Sequence, residues 1–165
     1  MAAGRAVEVV ALHVSAVHAY EGRPSDGPRP DPGPVSRGHV EVRAGLGIVG
    51  DRYFNHPAHR TAAVTVIAAE SLARWPVDPL LARRNVVVSG FDVDALARGT
   101  VFSLDSGDGP VRFEVHRPAN PCAWMDAVIA PGAFKALRGK GGMRCVPLDD
   151  GVLRLGTAVL DMVGA

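Results

Sequence analysis

Residues 116–126 of the chain read HRPANPCAWMD, and the predicted fold is organised around this segment. A strand-like run from Val111 to Val115 precedes it and leads the backbone into two prolines. Cys122 then lies where a helix can begin. Because a helix N-terminus exposes unpaired N–H groups, and His116 and Arg117 are close in sequence, these surroundings would favour thiolate over thiol. The segment predicts an exposed, activated cysteine; the alternative is a small buried apolar residue, the commoner fate of a free cysteine.

Length, composition and charge limit the class of protein. A chain of 165 residues suits a single domain, which we predict to span residues 1–165. The formal net charge is +1, and basic residues are scattered, so the chain has no electrostatic footprint for nucleic acid. Its apolar runs fall short of the roughly 20 residues that span a bilayer, and the N-terminus lacks the hydrophobic core of a signal peptide. We expect a soluble, cytoplasmic protein that contacts neither nucleic acid nor a membrane.

Short apolar runs separated by turn residues predict a fold rich in strands. Few segments have helical composition, and all of them are short. The pattern favours an α+β, mostly β domain built as a strongly bent sheet or partly open β-barrel. Strands are predicted at 7–17, 39–43, 62–67, within 83–90, and at 100–104, 111–115, 143–148, 152–155 and 157–163, with hairpins joining 100–104 to 111–115 and 143–148 to 152–155; helical pieces are predicted at 68–75, 79–83, 92–98, 123–129 and 133–137.

A proline- and glycine-rich insertion covers residues 21–38. Each proline there lacks a backbone donor and fixes its own φ, so the segment cannot join a sheet interior or a helix. We predict a long loop. Loops of this length are either mobile insertions or lids over a site, and the sequence leaves both readings open.

A glycine-rich turn follows the predicted strand 39–43. Gly45, Gly47 and Gly50 match the bare dinucleotide-binding pattern, but no helix follows them, so we discount that function. Downstream, His56 and His59 form a His-x-x-His pair in a polar loop. Without a third ligand nearby, solvated histidines are favoured over a metal site.

Two basic stretches are candidates for binding an anion. Arg84 and Asn85 precede a buried-looking strand, where an arginine fork can grip an anion and an asparagine can both donate and accept. The alternative is a surface ion pair and a turn asparagine. Residues 138–144, RGKGGMR, are the densest basic and glycine-rich stretch, suited to holding a phosphate, although a merely mobile loop would look similar.

Taken in order, these motifs resemble one family. Gly50-Asp51-Arg52, the run 84–92, Pro121-Cys122, Gly142-Met143-Arg144 and a final glycine pair at 151 and 156 resemble the molybdenum cofactor sulfurase C-terminal domain, or MOSC domain. The resemblance covers almost the whole chain from about Val7. It departs from the family at Thr157, where aspartate is common, and in its long 21–38 insertion.

The resemblance implies a barrel-like fold that binds the pterin-based molybdenum cofactor, with Cys122 as metal ligand or sulfur carrier. By the same match, Arg84, Asn85 and Arg144 look like cofactor-side contacts. Lys140 and the Gly141-Gly142 backbone would hold the pterin phosphate, and Asp51 would orient other ligands. No cysteine desulfurase domain precedes this one, so pyridoxal phosphate is not expected.

Three functions remain open on the sequence. In the first, cysteine-ligated molybdenum reduces a small molecule such as an N-hydroxylated amine or base, with electrons from a partner protein. In the second, Cys122 carries persulfide sulfur received from a cysteine desulfurase. In the third, the chain binds the pterin cofactor without turnover. We further expect Cys145, Trp124 and Met125 to be packing residues.

Overall fold

The computed structural model describes residues 3–164 as ten β-strands with two short α-helices. Most strand bounds lie within a few residues of the predicted runs, but β1 ends at Leu12, whereas the sequence predicted a strand through residue 17. None of the described helices is long and apolar enough to cross a membrane. The strands are β1 Arg5–Leu12, β2 His39–Arg43, β3 Gly47–Ile48, β4 Val64–Ala68, β5 Val86–Ser89, β6 Val101–Asp105, β7 Pro110–Pro118, β8 Met143–Pro147, β9 Gly151–Arg154 and β10 Gly156–Val163; the helices are α1 Trp124–Val128 and α2 Ala133–Ala136.

Seven strands close into a barrel in the order β1-β10-β6-β7-β8-β4-β5. Only the β4–β5 pair is parallel within the barrel, and every other neighbouring pair is antiparallel. Closure leaves the barrel without the unpaired edges of an open sheet. The prediction of a mostly β, barrel-like domain is therefore confirmed, and the barrel is closed rather than partly open.

The barrel interior is filled by one face of each strand. In β7, the buried Val111, Phe113 and Val115 alternate with exposed Arg112 and Glu114. This two-residue period is what directs one face of a strand to the core. Phe113 stacks on Phe102 of β6 with ring centroids 5.6 Å apart.

A second apolar cluster lies on the outside of the barrel, beneath α1 and α2. Trp124 and Met125 of α1 are buried there against Ile67 of β4 and Val87 of β5. Cys145, by contrast, is fully buried in the barrel core. The expectation that these residues serve packing is confirmed.

Two predicted helical pieces and one predicted hairpin were wrong. Residues 68–75 and 92–98 form only single 3₁₀ turns, at Ala69–Ser71 and Val93–Ala95, each too short to sustain α-helix. The hairpin predicted between β8 and β9 does not form, because β9 pairs with β2 in a separate sheet of order β3-β2-β9. Asp149 accepts hydrogen bonds from Arg112, and Asp150 accepts one from the Ala44 N–H, so the connecting turn is tied to other elements.

The proline-rich segment 21–38 is a loop, as predicted, with one 3₁₀ turn at Pro24–Asp26. It is anchored to the domain rather than free. The Val14 N–H donates to Val35 O, Ser36 bridges to His13, and the Arg83 guanidinium donates two hydrogen bonds of 2.9 and 3.0 Å to the Asp31 carboxylate. The segment therefore packs as a fixed cover over the end of β1.

A pH-dependent stability follows from His13, which is fully buried beneath this cover. Burial, together with the charges of Arg83 and Arg52, lowers its pKa to about 3. Between the ordinary pKa near 6.5 and this value, the unfolded chain binds a proton that the folded chain does not, so stability falls as pH falls. We expect denaturant unfolding of the wild type to lose up to about 1.4 kcal/mol per pH unit relative to His13→Phe between pH 6 and 4. Parallel pH profiles for the two proteins would contradict this.

Candidate functional site

Cys122 is an exposed free thiol. It lies in the short connection between β7 and α1, and its carbonyl oxygen accepts a 3.0 Å hydrogen bond from the Met125 N–H. Ala123, which follows it, is also exposed, and only Trp124 and Met125 turn into the outer core. Of the two readings of this cysteine, the exposed one is observed; its reactivity stays a prediction.

Arg84 fixes the segment that carries Cys122. Its Nε donates to Gly141 O at 2.8 Å, and its Nη2 donates to Ala119 O at 3.1 Å and to Asn120 O at 3.4 Å. Burial, followed by the charge of Arg144, lowers its pKa to about 10, while the charge of Cys122 acts in the opposite direction. The guanidinium of Arg84 thus donates mainly to backbone carbonyls, so Arg84 positions the segment that carries the cysteine.

Cationic side chains surround the ring of Tyr53. The guanidinium carbon of Arg52 lies 4.6 Å from the ring centroid and that of Arg144 lies 5.7 Å from it. The His59 ring centroid is 4.4 Å from that of Tyr53. We call Arg52, Tyr53, His59, Arg117 and Arg144 the Tyr53 cluster. The charges of Arg144, Tyr53 and Arg52 also act on Arg84, which places the cluster beside the Cys122 segment.

Arg117 joins the cluster because β7 is irregular. The register between β7 and β8 shifts between Val115 and Arg117, so that Arg117 pairs with Arg144. In a regular strand Arg117 would share the inward face of Val115, since side chains alternate with a period of two. The bulge at His116 moves Arg117 to the outside of the barrel and sets two arginines across from each other.

The positive charge of the cluster is not balanced by protein carboxylates. Among residues 3–164, no carboxylate lies within 4.0 Å of the guanidinium of Arg84, Arg117 or Arg144, and Arg52 meets only Asp51, at 3.4 Å. Burial, with contributions from Arg117 and Arg52, lowers the pKa of Arg144. Burial and then the charge of Arg144 lower the pKa of His59. Such a cluster favours an anion.

Three buried nitrogens in this cluster have no hydrogen-bond partner among the described residues: Arg52 Nε, His59 Nδ1 and Arg144 Nη1. Buried polar groups are normally paired, because leaving one unpaired costs about 1–3 kcal/mol. All three belong to side chains that surround the Tyr53 ring. These nitrogens are suited to donating hydrogen bonds to the oxygens of a bound anion.

The buried side chains of Asp51 and Asn85 hydrogen-bond to other parts of the protein. The buried Asp51 carboxylate accepts the N–H groups of Ser15 and Tyr53, and burial raises its pKa. Asn85 is buried; its Oδ1 accepts the Thr65 N–H and its Nδ2 donates to His13 O. Both side chains are engaged within the protein, so the contacts observed are those of positioning residues.

Residues of the basic, glycine-rich stretch 138–144 lie in two different parts of the structure. Arg144 joins the Tyr53 cluster, whereas Lys140 is exposed and lines a separate cavity of about 620 Å³ near Asp94. The Gly142 N–H donates to Asp94 Oδ1 at 2.9 Å. A β-carbon at Gly141 would clash with Ala119 O, so this glycine allows two backbone segments to pack closely.

Sequence reasoning missed Tyr53, His59 and Arg117 as members of one site. Arg52 and Tyr53 follow the glycine turn, and His59 stood out only as half of a His-x-x-His pair. The described residues contain no group of three or more His, Cys, Asp or Glu side chains arranged to hold a metal ion. These residues converge through long-range pairing, which local sequence patterns do not show. The signal that could have found the site is the match of several basic residues to one family.

Comparison with known proteins gives a family and a fold. The MOSC domain model matches residues 53–160. The structure is similar to that of the YuaD protein from Bacillus subtilis, with a TM-score of 0.69, 16% identity and coverage of 94% of this chain and 95% of that one. It is also similar to YiiM from Geobacillus stearothermophilus, with a TM-score of 0.61, 19% identity and coverage of 96% and 75%. At these low sequence identities, the structural similarity shows a shared fold and nothing more. No curated protein matches the chain.

The different burial of the two cysteines predicts a simple thiol count. In the native protein, a thiol-reactive disulfide reagent should modify one cysteine per chain quickly, because Cys122 is exposed and Cys145 is 0% exposed. Both should react in denaturant. Cys122→Ser should leave no fast-reacting thiol in the native protein. Fast modification of Cys145 in that variant would contradict the structure.

The close packing at Gly141 predicts a loss of stability on adding a single methyl group. We expect Gly141→Ala to lower the free energy of unfolding by about 1–3 kcal/mol, as overpacking does elsewhere. Gly33→Ala is the matched control, because a β-carbon there meets no atom within 4 Å. Denaturant unfolding measures both; equal effects at the two positions would contradict the account.

Proposed function

Because the chain belongs to the MOSC domain family, we propose that its Tyr53 cluster and Cys122 bind the molybdenum cofactor. We propose further that the loaded protein reduces N-hydroxylated or other N-oxygenated small molecules. The observation that carries the proposal is the set of unpaired buried nitrogens around Tyr53, next to an exposed cysteine.

The cluster fits the anionic end of such a cofactor. A phosphate monoester carries about −1.5 to −2 charges at neutral pH and three acceptor oxygens. Arg52 Nε, Arg144 Nη1 and His59 Nδ1 are the donors left free to meet them. Arg117, which is exposed beside Arg144, adds charge at the rim. Charge-assisted hydrogen bonds of this kind are about twice as strong as neutral ones.

Cys122 would supply a soft sulfur ligand to the metal, in keeping with the preference of soft thiolates for such metals. Arg84 keeps that sulfur in place, since it donates to the backbone carbonyls of Ala119 and Asn120 just before Cys122. Asp51 keeps the cluster in place in a similar way, because its carboxylate accepts the Tyr53 N–H and contacts Arg52. The chain therefore contributes binding, orientation and charge.

When bound, the cofactor would supply two-electron redox chemistry suited to removing an oxygen atom from the substrate. For a hydroxylamine the N–O bond breaks, and two electrons with two protons give the amine and water. The electrons would come from a partner protein. His59 belongs to the cluster, and the His18 ring lies against Tyr53 with centroids 6.3 Å apart. Burial lowers the pKa of both histidines, which favours the neutral form of each ring.

A second candidate function is persulfide transfer. It is favoured by the exposure of the Cys122 thiol, which has no hydrogen-bond partner among the described residues and is open to a large protein donor. In this function a cysteine desulfurase passes one sulfur atom to Cys122, which delivers it to an acceptor thiol.

Metal analysis of the protein made in a cofactor-producing host tests the first function. We expect about one molybdenum per chain in the wild type and loss of both metal and reductase activity in Cys122→Ser. Arg144→Met should lower cofactor retention tenfold or more, because it removes a half-buried cation from the cluster. Arg98→Met is the matched control and should retain the cofactor, since Arg98 is exposed and takes part in none of the contacts that define the cluster.

Mass spectrometry after incubation with a desulfurase and cysteine tests the second function. One added sulfur on Cys122 in a protein that never retains molybdenum would favour sulfur transfer and contradict the reductase. Molybdenum retained equally well by the wild type, Cys122→Ser and Arg144→Met would contradict the proposed binding site.

A further inference from the structure

A second cavity, of about 510 Å³, lies between the proline-rich segment and the barrel. We call it the covered cavity. Its walls include Tyr20, Leu80 and Leu81 on one side and Pro30 and Pro34 of the segment on the other. This volume is in the range of small-molecule sites, and walls that are largely apolar are typical of them.

The covered cavity contains buried polar atoms without partners. His13 lines it and is fully buried, yet neither Nδ1 nor Nε2 has a hydrogen-bond partner among the described residues. Arg83 also lines it, and its Nε is buried and unpaired. Burial keeps the His13 ring neutral near pH 7, because its pKa is lowered to about 3. The ring therefore offers one donor and one acceptor, and Arg83 offers a further donor.

The charges around the covered cavity cancel. Two cationic side chains, Arg29 and Arg83, and two anionic ones, Asp31 and Asp78, line it. Arg83 and Asp31 are already joined by two hydrogen bonds. Arg29 Nη1 lies 2.8 Å from Glu21 Oε2, and the Asp78 carboxylate accepts the Leu80 N–H, so each of these charges is already engaged. A ligand that carried a full charge would be desolvated among engaged groups, which is costly. An uncharged ligand avoids that cost.

We propose that the covered cavity is a binding site for an uncharged aromatic molecule that carries an amide-like donor and acceptor. The ring lies against the proline and leucine walls, and the polar group pairs with His13 and the Nε of Arg83. Cys122 does not line the cavity, although Tyr20 of its wall stacks on Trp124, two residues after Cys122, with ring centroids 5.2 Å apart.

Three probes with the same ring and a planar substituent test the charge requirement: benzamide, benzoate and benzamidinium. Binding is followed by imidazole signals in NMR correlation spectra, and the His13 signal among the six histidines is assigned with His13→Phe. We expect benzamide to shift the His13 signal saturably. Benzoate and benzamidinium should bind at least tenfold more weakly.

Two variants separate this site from the thiol site. Leu81→Trp fills the covered cavity from a half-buried wall and should weaken benzamide binding tenfold or more, whereas Cys122→Ser should bind it as the wild type does. The proposal is overturned if benzamide leaves the His13 signal unchanged, if either charged probe binds as tightly, or if Leu81→Trp binds benzamide normally. Since Cys122→Ser lacks the proposed metal ligand, failure here is distinguishable from failure of the proposed function.

Discussion

The half-buried Arg84 guanidinium joins the segments from which the candidate site is built. It lies at the start of β5 and donates to Ala119 and Asn120 on one side and to Gly141 on the other. These contacts hold the segment that leads to Cys122 against the loop that leads to Arg144. Because an arginine offers five donors in a fixed planar fork, few other side chains could satisfy several carbonyls at once. The exposure of the thiol depends on this anchor.

The second constraint is the accumulation of positive charge outside the barrel. Arg117 and Arg144 face each other across the β7–β8 pair, and Arg52 lies on the same aromatic ring as Arg144. Like charges at this separation repel, and burial strengthens the repulsion because the local dielectric is low. Among residues 3–164, Asp51 is the one carboxylate within 4.0 Å of these guanidinium groups, so most of this cost is not offset within the described part of the chain. A bound anion would relieve it, which links the electrostatics of the free chain to its proposed function.

Much of the fold could be predicted from the sequence, because two-residue alternation in runs such as 111–115 fixes which face is buried. The burial of Trp124, Met125 and Cys145 followed from the same reasoning. The prediction of a β8–β9 hairpin was wrong for a physical reason. Turn residues at 149–151 specify a turn, but the pairing partner is chosen by long-range contacts such as that between Asp149 and Arg112.

The site was predicted less completely than the fold. Cys122 was predicted from its local surroundings and Arg144 from the basic glycine-rich stretch, and the family motifs supported both. Tyr53, His59 and Arg117 come together through the β7 bulge and the packing of residues 51–59. Local sequence does not encode that convergence. Glycine patterns were also ambiguous, since Gly141 and Gly142 match a phosphate loop yet serve close backbone packing here.

The most direct test of the account is a crystal structure of the protein purified from a host that makes the molybdenum cofactor. The account predicts an anionic group within hydrogen-bond distance of Arg52 Nε, His59 Nδ1 and Arg144 Nη1, with the sulfur of Cys122 directed at the metal. An anion bound instead at the 138–142 loop, with the Tyr53 cluster facing only water, would contradict it.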